Sequence, residues 1–321
     1  MKLEDIGFYT LSDDRAKNVS INSPLWRCEL ILTDKCNFKC PYCRGMRDDC
    51  TGSFSLKDAT SVIDHWTDEG LKNVRFSGGE PMLYPHLNHI VKRCKTRGVE
   101  RIAISTNGSL SFDRYLKLID NGVNDISISL DACCAAVGDK MSGGVKGAWE
   151  RVVRNIEELS KVTYVTVGMV FTEDNIDDCK ESVMFADSLG VSDIRVIPSA
   201  QYNKALSKLS SLDADILDKY PILKYRILNV LDGRHVRGIK KNDCHRCWLA
   251  MDDMAVAGGY HFPCIIYLRE QGKPVGKISE NIRAERKAWS ESHNSYKDPI
   301  CRKNCLDVCV DYNNKADSFH K

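Results

Sequence analysis

Leu32-Thr33-Asp34-Lys35-Cys36-Asn37-Phe38-Lys39-Cys40-Pro41-Tyr42-Cys43 closes an apolar run that starts at Trp26, and it spaces three cysteines as C-x3-C-x2-C. A loop this tight points three thiols at one volume, and thiolates prefer soft metals such as iron and zinc. A structural zinc ion asks for a fourth protein ligand. None lies nearby, because His65 falls on the following helix. Three cysteines suit a four-iron cubane that leaves one iron open. The loop sits at the carboxyl end of a strand, where α/β barrels build their active sites.

Reading outward, short β-branched runs alternate with longer amphipathic stretches from Leu25 to about Ser199, the rhythm of a parallel sheet with crossover helices. Six strands are expected: Trp26 to Thr33, Asn73 to Ser77, Arg101 to Thr106, Asp125 to Asp131, Tyr164 to Thr172 and Asp193 to Pro198. Each reads as nearly all apolar, as strands covered on both faces do. Helices are expected from Ser55, capped by Ser55 and Asp58, and at Pro85 to Arg97, Ser111 to Asn121, Val145 to Ser160 and Asp174 to Leu189. The fold class is α/β, a partial (β/α)6 TIM-like barrel over residues 25–205. Residues 1–24 form an extension with no assigned role. From 206 to 321 a helical linker broken by Pro221 leads to a hairpin, Met254 to Val256 and Tyr260 to Tyr267 about Gly258-Gly259, and to a short irregular tail rich in cysteine.

The composition of the 321 residues is that of an ordinary globular protein, 43% hydrophobic and 28% charged, which excludes a disordered or collagenous chain. A net charge of +2 selects neither nucleic acid nor membrane as partner. The opening residues Met1 to Asp5 carry an acidic pair and no apolar run, so no secretory signal and a cytoplasmic location are expected. Fifteen cysteines in such a chain favour metal or redox chemistry over disulfides.

With aromatic Tyr42 ahead of the third cysteine, the motif resembles the signature of the radical S-adenosylmethionine superfamily. The resemblance implies that Cys36, Cys40 and Cys43 hold a [4Fe-4S] cluster whose open iron chelates S-adenosylmethionine. One electron then cleaves the sulfonium, and a 5′-deoxyadenosyl radical abstracts a substrate hydrogen. Other strand ends match the pattern in order. Ser77-Gly78-Gly79-Glu80-Pro81 resembles the family's glycine-rich segment, with Glu80 as carboxylate for the methionine ammonium. Asn107 and Ser129, at the ends of strands three and four, correspond to positions facing the cofactor's ribose and carboxylate. Asn175, after strand five, is either a cofactor contact or a helix cap.

A second constellation follows: Cys244-His245-Arg246-Cys247, then Cys264 on the hairpin, then Cys301, Cys305 and Cys309. In isolation a structural zinc knuckle would satisfy it. Behind a barrel of this family it resembles the SPASM or twitch extension, which implies at least one auxiliary [4Fe-4S] cluster. Cys244, Cys247, Cys264 and Cys309 are the expected ligands, with Cys305 and Cys301 as alternatives. The order C-x-x-C, hairpin, cysteine is similar to the molybdopterin-pathway GTP cyclase, although the glycine-glycine tail of that enzyme is lacking at Lys321.

Cys133 and Cys134 follow Asp131 at the expected barrel mouth and are candidate hydrogen-atom donors; Cys28, Cys94 and Cys179 read as core. Trp248, Tyr260, His261 and Tyr267 either line a pocket or pack, and Arg195 either meets a substrate carboxylate or pairs with Asp193 at the surface. The implied activity is oxidation, cyclisation, cross-linking or epimerisation of a small molecule, such as a sugar or nucleotide, or of a short peptide. A peptide-modifying maturase is the alternative. The resemblance further implies a flavodoxin- or ferredoxin-type electron donor. A zinc-stabilised, non-catalytic scaffold is the competing reading from another class.

Overall fold

The computed structural model describes residues 13–197 and 202–320. Six parallel strands succeed one another as the sequence rhythm predicts: β1 (Arg27–Ile31), β2 (Asn73–Ser77), β3 (Arg101–Thr106), β4 (Asp125–Ser129), β5 (Tyr164–Met169) and β6 (Asp193–Val196). Pro198, the expected end of the sixth, lies outside the described residues. The helices begin with α1 (Asp13–Asn18) and α2 (Leu56–Asp68), then α3 (Leu87–Thr96), α4 (Phe112–Asn121), α5 (Ala135–Met141), α6 (Ala148–Ser160) and α7 (Cys179–Ser188). Ser55 caps α2, accepting the Asp58 amide at 3.0 Å and donating its hydroxyl to the Asp58 carboxylate at 2.7 Å. The sheet and its crossover helices form the expected partial barrel.

The strands are not apolar on both faces. Leu30, Val74, Phe76, Ile102, Ile104, Ile126, Ile128, Val165 and Val167 pack towards the helices in one core that includes Trp66. Alternate positions on the other face are charged or polar, as the period of two in a strand requires. Glu29 accepts from Ser77 at 2.8 Å, Arg75 reaches Asp125 at 3.3 Å and Ser105 at 2.9 Å, and Arg101 pairs with Asp125 at 3.0 Å. Arg195 pairs with Asp193 at 2.5 Å, but Asp193 is fully buried, so the pair belongs to this polar lining and not to the surface.

After the barrel come α8 (Tyr202–Leu209), α9 (Ala214–Lys219) and α10 (Pro221–Leu231), with Pro221 in the first turn of α10, where its missing N–H has no helical partner to lose. The hairpin follows as β7 (Asp253–Ala257) and β8 (Tyr260–Phe262), and a short β9 (Gly276–Lys277) completes the set. The second arm stops at Phe262 instead of running to Tyr267. Cys264 caps a helical turn, α11 (Ile265–Arg269), by accepting the Tyr267 amide on its sulfur. β7 lies parallel to β1, with Arg27 opposite Asp253 and Leu30 opposite Val256, so a single nine-stranded sheet crosses the boundary expected near residue 205.

Nor is the tail irregular. After α12 (Ile282–Ser292), the tail from Lys297 forms α13 (Pro299–Asn304) and α14 (Asp307–His320). The described part of the N-terminal extension has a structural role: Ala16 and Val19 of α1 and its loop bury against Tyr312 and Ala316 of α14, and Arg15 pairs with buried Asp252 at 2.5 Å. Cys28, Cys94 and Cys179 are core residues as expected. No helix among the described residues is long and apolar enough to cross a membrane.

Candidate active site

The carboxyl ends of β1 to β4 converge on one cavity of about 210 Å³. The loop after β1 lends it Cys36, Cys40 and Cys43; the β2 end Gly78 and Gly79; the β3 end Ser105 and Asn107; the β4 end Ser129 and Asp131. Phe38, Tyr42, Met141 and Trp149 supply aromatic and apolar wall. Cys36 and Cys43 are exposed, Cys40 is half-buried, and all three thiols are free.

The cysteine loop is seated on the glycine pair. Gly79 donates its amide to the Thr33 carbonyl at 2.7 Å and Glu80 donates to the Lys35 carbonyl at 2.8 Å. A Cβ on Gly78 would stand 2.4 Å from the Thr33 oxygen, and one on Gly79 would stand 2.4 Å from the Lys35 oxygen. Gly78 also has φ +150°, a region open chiefly to glycine. The close approach these glycines permit is therefore that of the thiol loop. Amides finish the loop: Phe38 N–H points to the Cys36 sulfur and Gly45 N–H to the Cys43 sulfur, each at 3.4 Å. Such donors stabilise the charge that thiolates and clusters carry.

Asn107 and Ser129 are both brought to the cavity. The Asn107 side chain donates to Asn37 at 2.8 Å and lies 3.9 Å from the Cys36 sulfur, while its carbonyl accepts from Ser109, so it braces the loop as well as lining the wall. The Ser129 hydroxyl is exposed to the cavity. Tyr42 donates its hydroxyl to Asp131 at 2.5 Å; Asp131 also accepts the Val170 amide at 2.7 Å, and burial pushes its carboxyl up to about 6.

Glu80 is not presented to the cavity. It is fully buried, and its two oxygens accept from the Met82 amide at 3.0 Å, the Thr106 hydroxyl at 2.7 Å and the Asn107 amide at 2.7 Å. It ties the β2 end to the β3 end. Asn175 is likewise consumed: its amide donates to the carbonyls of Asp131 and Val170 at 2.7 and 2.8 Å and accepts the Thr172 amide at 2.7 Å. Of the two readings, the structural one holds for Asn175. Among the described residues Cys133 and Cys134 do not line the cavity. The sequence reading missed Arg269, which the C-terminal part contributes to the cavity wall.

A second, smaller cavity of about 40 Å³ is walled by Cys247, Cys264, Cys301, Cys305 and Cys309 among apolar side chains such as Leu249, Ile266 and Leu306. Cys244 does not line it; its amide donates to Asn314 at 2.6 Å and its thiol faces the Arg246 carbonyl at 3.3 Å. Burial pushes the Cys247 thiol up to about 12, so metal ligation there must release protons. His293 brings its Nε2 to 3.5 Å from the Cys301 sulfur. Tyr267 lines this cavity, whereas His261 is buried and paired with Glu285 at 2.8 Å and Trp248 packs in the α14 cluster.

A parallel partial barrel with three free thiols and a glycine-seated loop at its carboxyl ends defines a metal-cluster enzyme architecture. Residues 30–186 match the Radical SAM superfamily model. A probable GTP 3′,8-cyclase of Saccharolobus solfataricus is 30% identical over 220 residues, 67% of this chain and 70% of that protein. The corresponding protein of Metallosphaera sedula is 30% identical over 178 residues, 54% of this chain and 56% of its own length, so the chain spans little more than half of that relative. Among solved structures, Streptococcus suis SuiB bound to precursor peptide SuiA superposes with a TM-score of 0.61 at 15% identity, covering 92% of this chain and 70% of SuiB. The chain belongs to the radical SAM superfamily. The three free thiols, with amides aimed at two of the sulfurs, are a donor set that fits the family's [4Fe-4S] cluster, and the polar strand ends beside them fit S-adenosylmethionine.

Proposed function

We propose that the chain is a radical SAM enzyme that removes a hydrogen atom from a small molecule or short peptide bound in the barrel cavity, and that its product is an oxidised, cyclised or epimerised form of that molecule. The observation that carries this reading is the convergence of Cys36, Cys40, Cys43, Gly78, Asn107 and Ser129 on one cavity. Cys36, Cys40 and Cys43 would hold the cluster. When bound, the cluster supplies the electron for reductive cleavage of the sulfonium of S-adenosylmethionine, which generates the hydrogen-abstracting species. Gly78 and Gly79 let the thiol loop sit against the β2 end, and the β3 and β4 ends offer Asn107 and Ser129 to the cofactor's polar groups. Phe38, Met141 and Trp149 keep bulk water from the reacting atoms. An auxiliary cluster would take its ligands from Cys247, Cys264, Cys301, Cys305 and Cys309, the five thiols around the second cavity. A flavodoxin- or ferredoxin-type protein would deliver the electrons.

The test is anaerobic reconstitution followed by dithionite and S-adenosylmethionine. Formation of 5′-deoxyadenosine, abolished by Cys40→Ala, is expected, together with about four irons for each cluster formed. A colourless protein that retains two zinc ions and forms no 5′-deoxyadenosine would overturn the reading in favour of a scaffold.

A further inference from the structure

Among the described residues, Arg269 is the one cation on the wall of the barrel cavity and the one lining residue that lies outside residues 36–152. It ends α11, the turn that Cys264 caps, and its guanidinium is exposed, with no ion pair or hydrogen bond to the described residues. Its position is built. The thiol loop sends two arginines to grip the turn that carries it: Arg44, next to Cys43, pairs with Glu270, and Arg47, which is buried, donates to the Gly272 carbonyl. Arg237 reaches Glu270 at 3.4 Å from a third side. Between these anchors, Gln271 has φ +63°, the single non-glycine residue with positive φ among the described residues. Strain of this kind persists where the surroundings over-determine the chain, as here they do. Gly272 follows because a Cβ there would meet the Tyr267 ring at 2.2 Å.

Among the described residues the cavity offers Arg269 no free carboxylate in return. Asp131 is the one acidic residue on the described wall, and it is buried and occupied by the Tyr42 hydroxyl and the Val170 amide. A clamped, strained turn thus delivers a guanidinium with no partner among the described residues, and with its fork of N–H donors, to a cavity whose other described walls are aromatic, apolar or neutral apart from the buried, hydrogen-bonded Asp131. That geometry selects an anion. We propose that Arg269 binds an anionic group, carboxylate or phosphoryl, of the molecule that reacts in this cavity. The proposal rests on reading the cavity as the radical SAM active site, and it narrows that site to acidic substrates.

The test uses the full chain, reconstituted anaerobically and saturated with S-adenosylmethionine. Inorganic tripolyphosphate and citrate are titrated calorimetrically as phosphoryl and carboxylate probes. At least one should bind the wild type, and which one binds identifies the source of the anion. Arg269→Gln should weaken that binding at least tenfold, and Arg269→Lys should fall between the two. Glu270→Ala, which keeps the guanidinium and frees its carrier, should weaken it about threefold or more. Arg269 is exposed, so its replacement removes no buried contact. The proposal is overturned if neither probe binds the wild type or if Arg269→Gln binds as the wild type does. It is also overturned if affinity for S-adenosylmethionine falls by the same factor, since Arg269 would then serve the cofactor. Failure of the underlying reading is separate: the wild type would then form no 5′-deoxyadenosine with dithionite, whatever the probes do.

Discussion

Replacement of Glu80 separates two roles that the same residue type could play at this strand end. The sequence pattern implies a carboxylate for the cofactor's ammonium, whereas the structure buries the side chain beneath the cavity wall with three donors directed at it, from Met82, Thr106 and Asn107. Hydrogen bonds to a charged acceptor contribute about 1.5–3 kcal/mol each, and a buried donor left unpaired costs about 1–3 kcal/mol. Against this stands the desolvation of the carboxylate, which raises its pKa despite the three donors. Glu80→Ala strands the Met82 and Asn107 amides and leaves the Thr106 hydroxyl only Tyr115 at 3.2 Å, and should cost about 3–5 kcal/mol net. Glu80→Gln keeps one oxygen for Met82 and Thr106 but opposes an NH2 to the Asn107 amide, so its cost should be about 1–3 kcal/mol. At about 2 °C per kcal/mol for a chain of this size, the alanine variant should melt roughly 6–10 °C lower and the glutamine variant roughly 2–6 °C lower. Anaerobic circular-dichroism melts, with equilibrium dialysis of labelled S-adenosylmethionine alongside, measure both quantities. An unmoved melting temperature with cofactor affinity down tenfold or more would refute the brace and restore the direct contact.

Other outcomes follow from the same geometry. Gly79→Ala places a methyl group 2.4 Å from the Lys35 oxygen and 2.7 Å from the Asp34 oxygen, so the thiol loop must lift; iron analysis and electron paramagnetic resonance should show the first cluster depleted, and full loading would argue against loop seating. Asp131 binds its proton more tightly folded than unfolded, its carboxyl standing at about 6 against an ordinary value near 4, so the fold loses stability as pH rises through that window. Asp131→Asn should therefore gain on the wild type by about 2 kcal/mol between pH 4 and pH 7, at about 1.4 kcal/mol per unit, read as urea midpoints at three pH values. A pH-independent difference would contradict the assignment. Finally, Cys264→Ser should remove about four irons and Cys244→Ser nearly none, because only the former lines the second cavity; equal losses would place Cys244 among the ligands.

The parts of the site that could be read from the sequence are those whose signal is local. The C-x3-C-x2-C spacing located the thiol loop, and the family resemblance of the strand ends, not the apolar rhythm, singled out Asn107 and Ser129. The glycine pair was legible as a place of close approach, but the thing approached, the Thr33–Lys35 backbone, is more than forty residues away in sequence. Glu80 and Asn175 are polar residues at the right strand ends, and only the direction of their side chains, set by partners on neighbouring strands, separates brace from contact. The same limit applies to Cys244 and Cys247: the spacing pairs them, while the local backbone turns one sulfur to the cavity and the other to the Arg246 carbonyl. α14 carries buried Asp307 and Asn313, which weaken its amphipathic pattern; Asp307 is paired with Arg226 at 2.6 Å and Asn313 accepts the Leu249 amide at 3.0 Å, so long-range partners make that helix possible. Arg269 had no local signal at all.

The pairing of β7 with β1 ties these pieces into one mechanical unit. Cys36 lies five residues beyond the end of β1, and Cys264 two residues beyond the end of β8, which is itself hydrogen-bonded to β7. Cys36 and Cys264 therefore hang from strands of one sheet with only β7 between them, and moving one relative to the other would break a ladder whose residues Cys28, Leu30, Met254 and Val256 share the barrel core. The contacts from Arg44 and Arg47 to the turn after α11 add a second connection on the cavity side. With these two attachments the C-terminal part forms one wall of the cavity, and under the proposed function a side chain placed on it, as Arg269 is, would select a substrate by position.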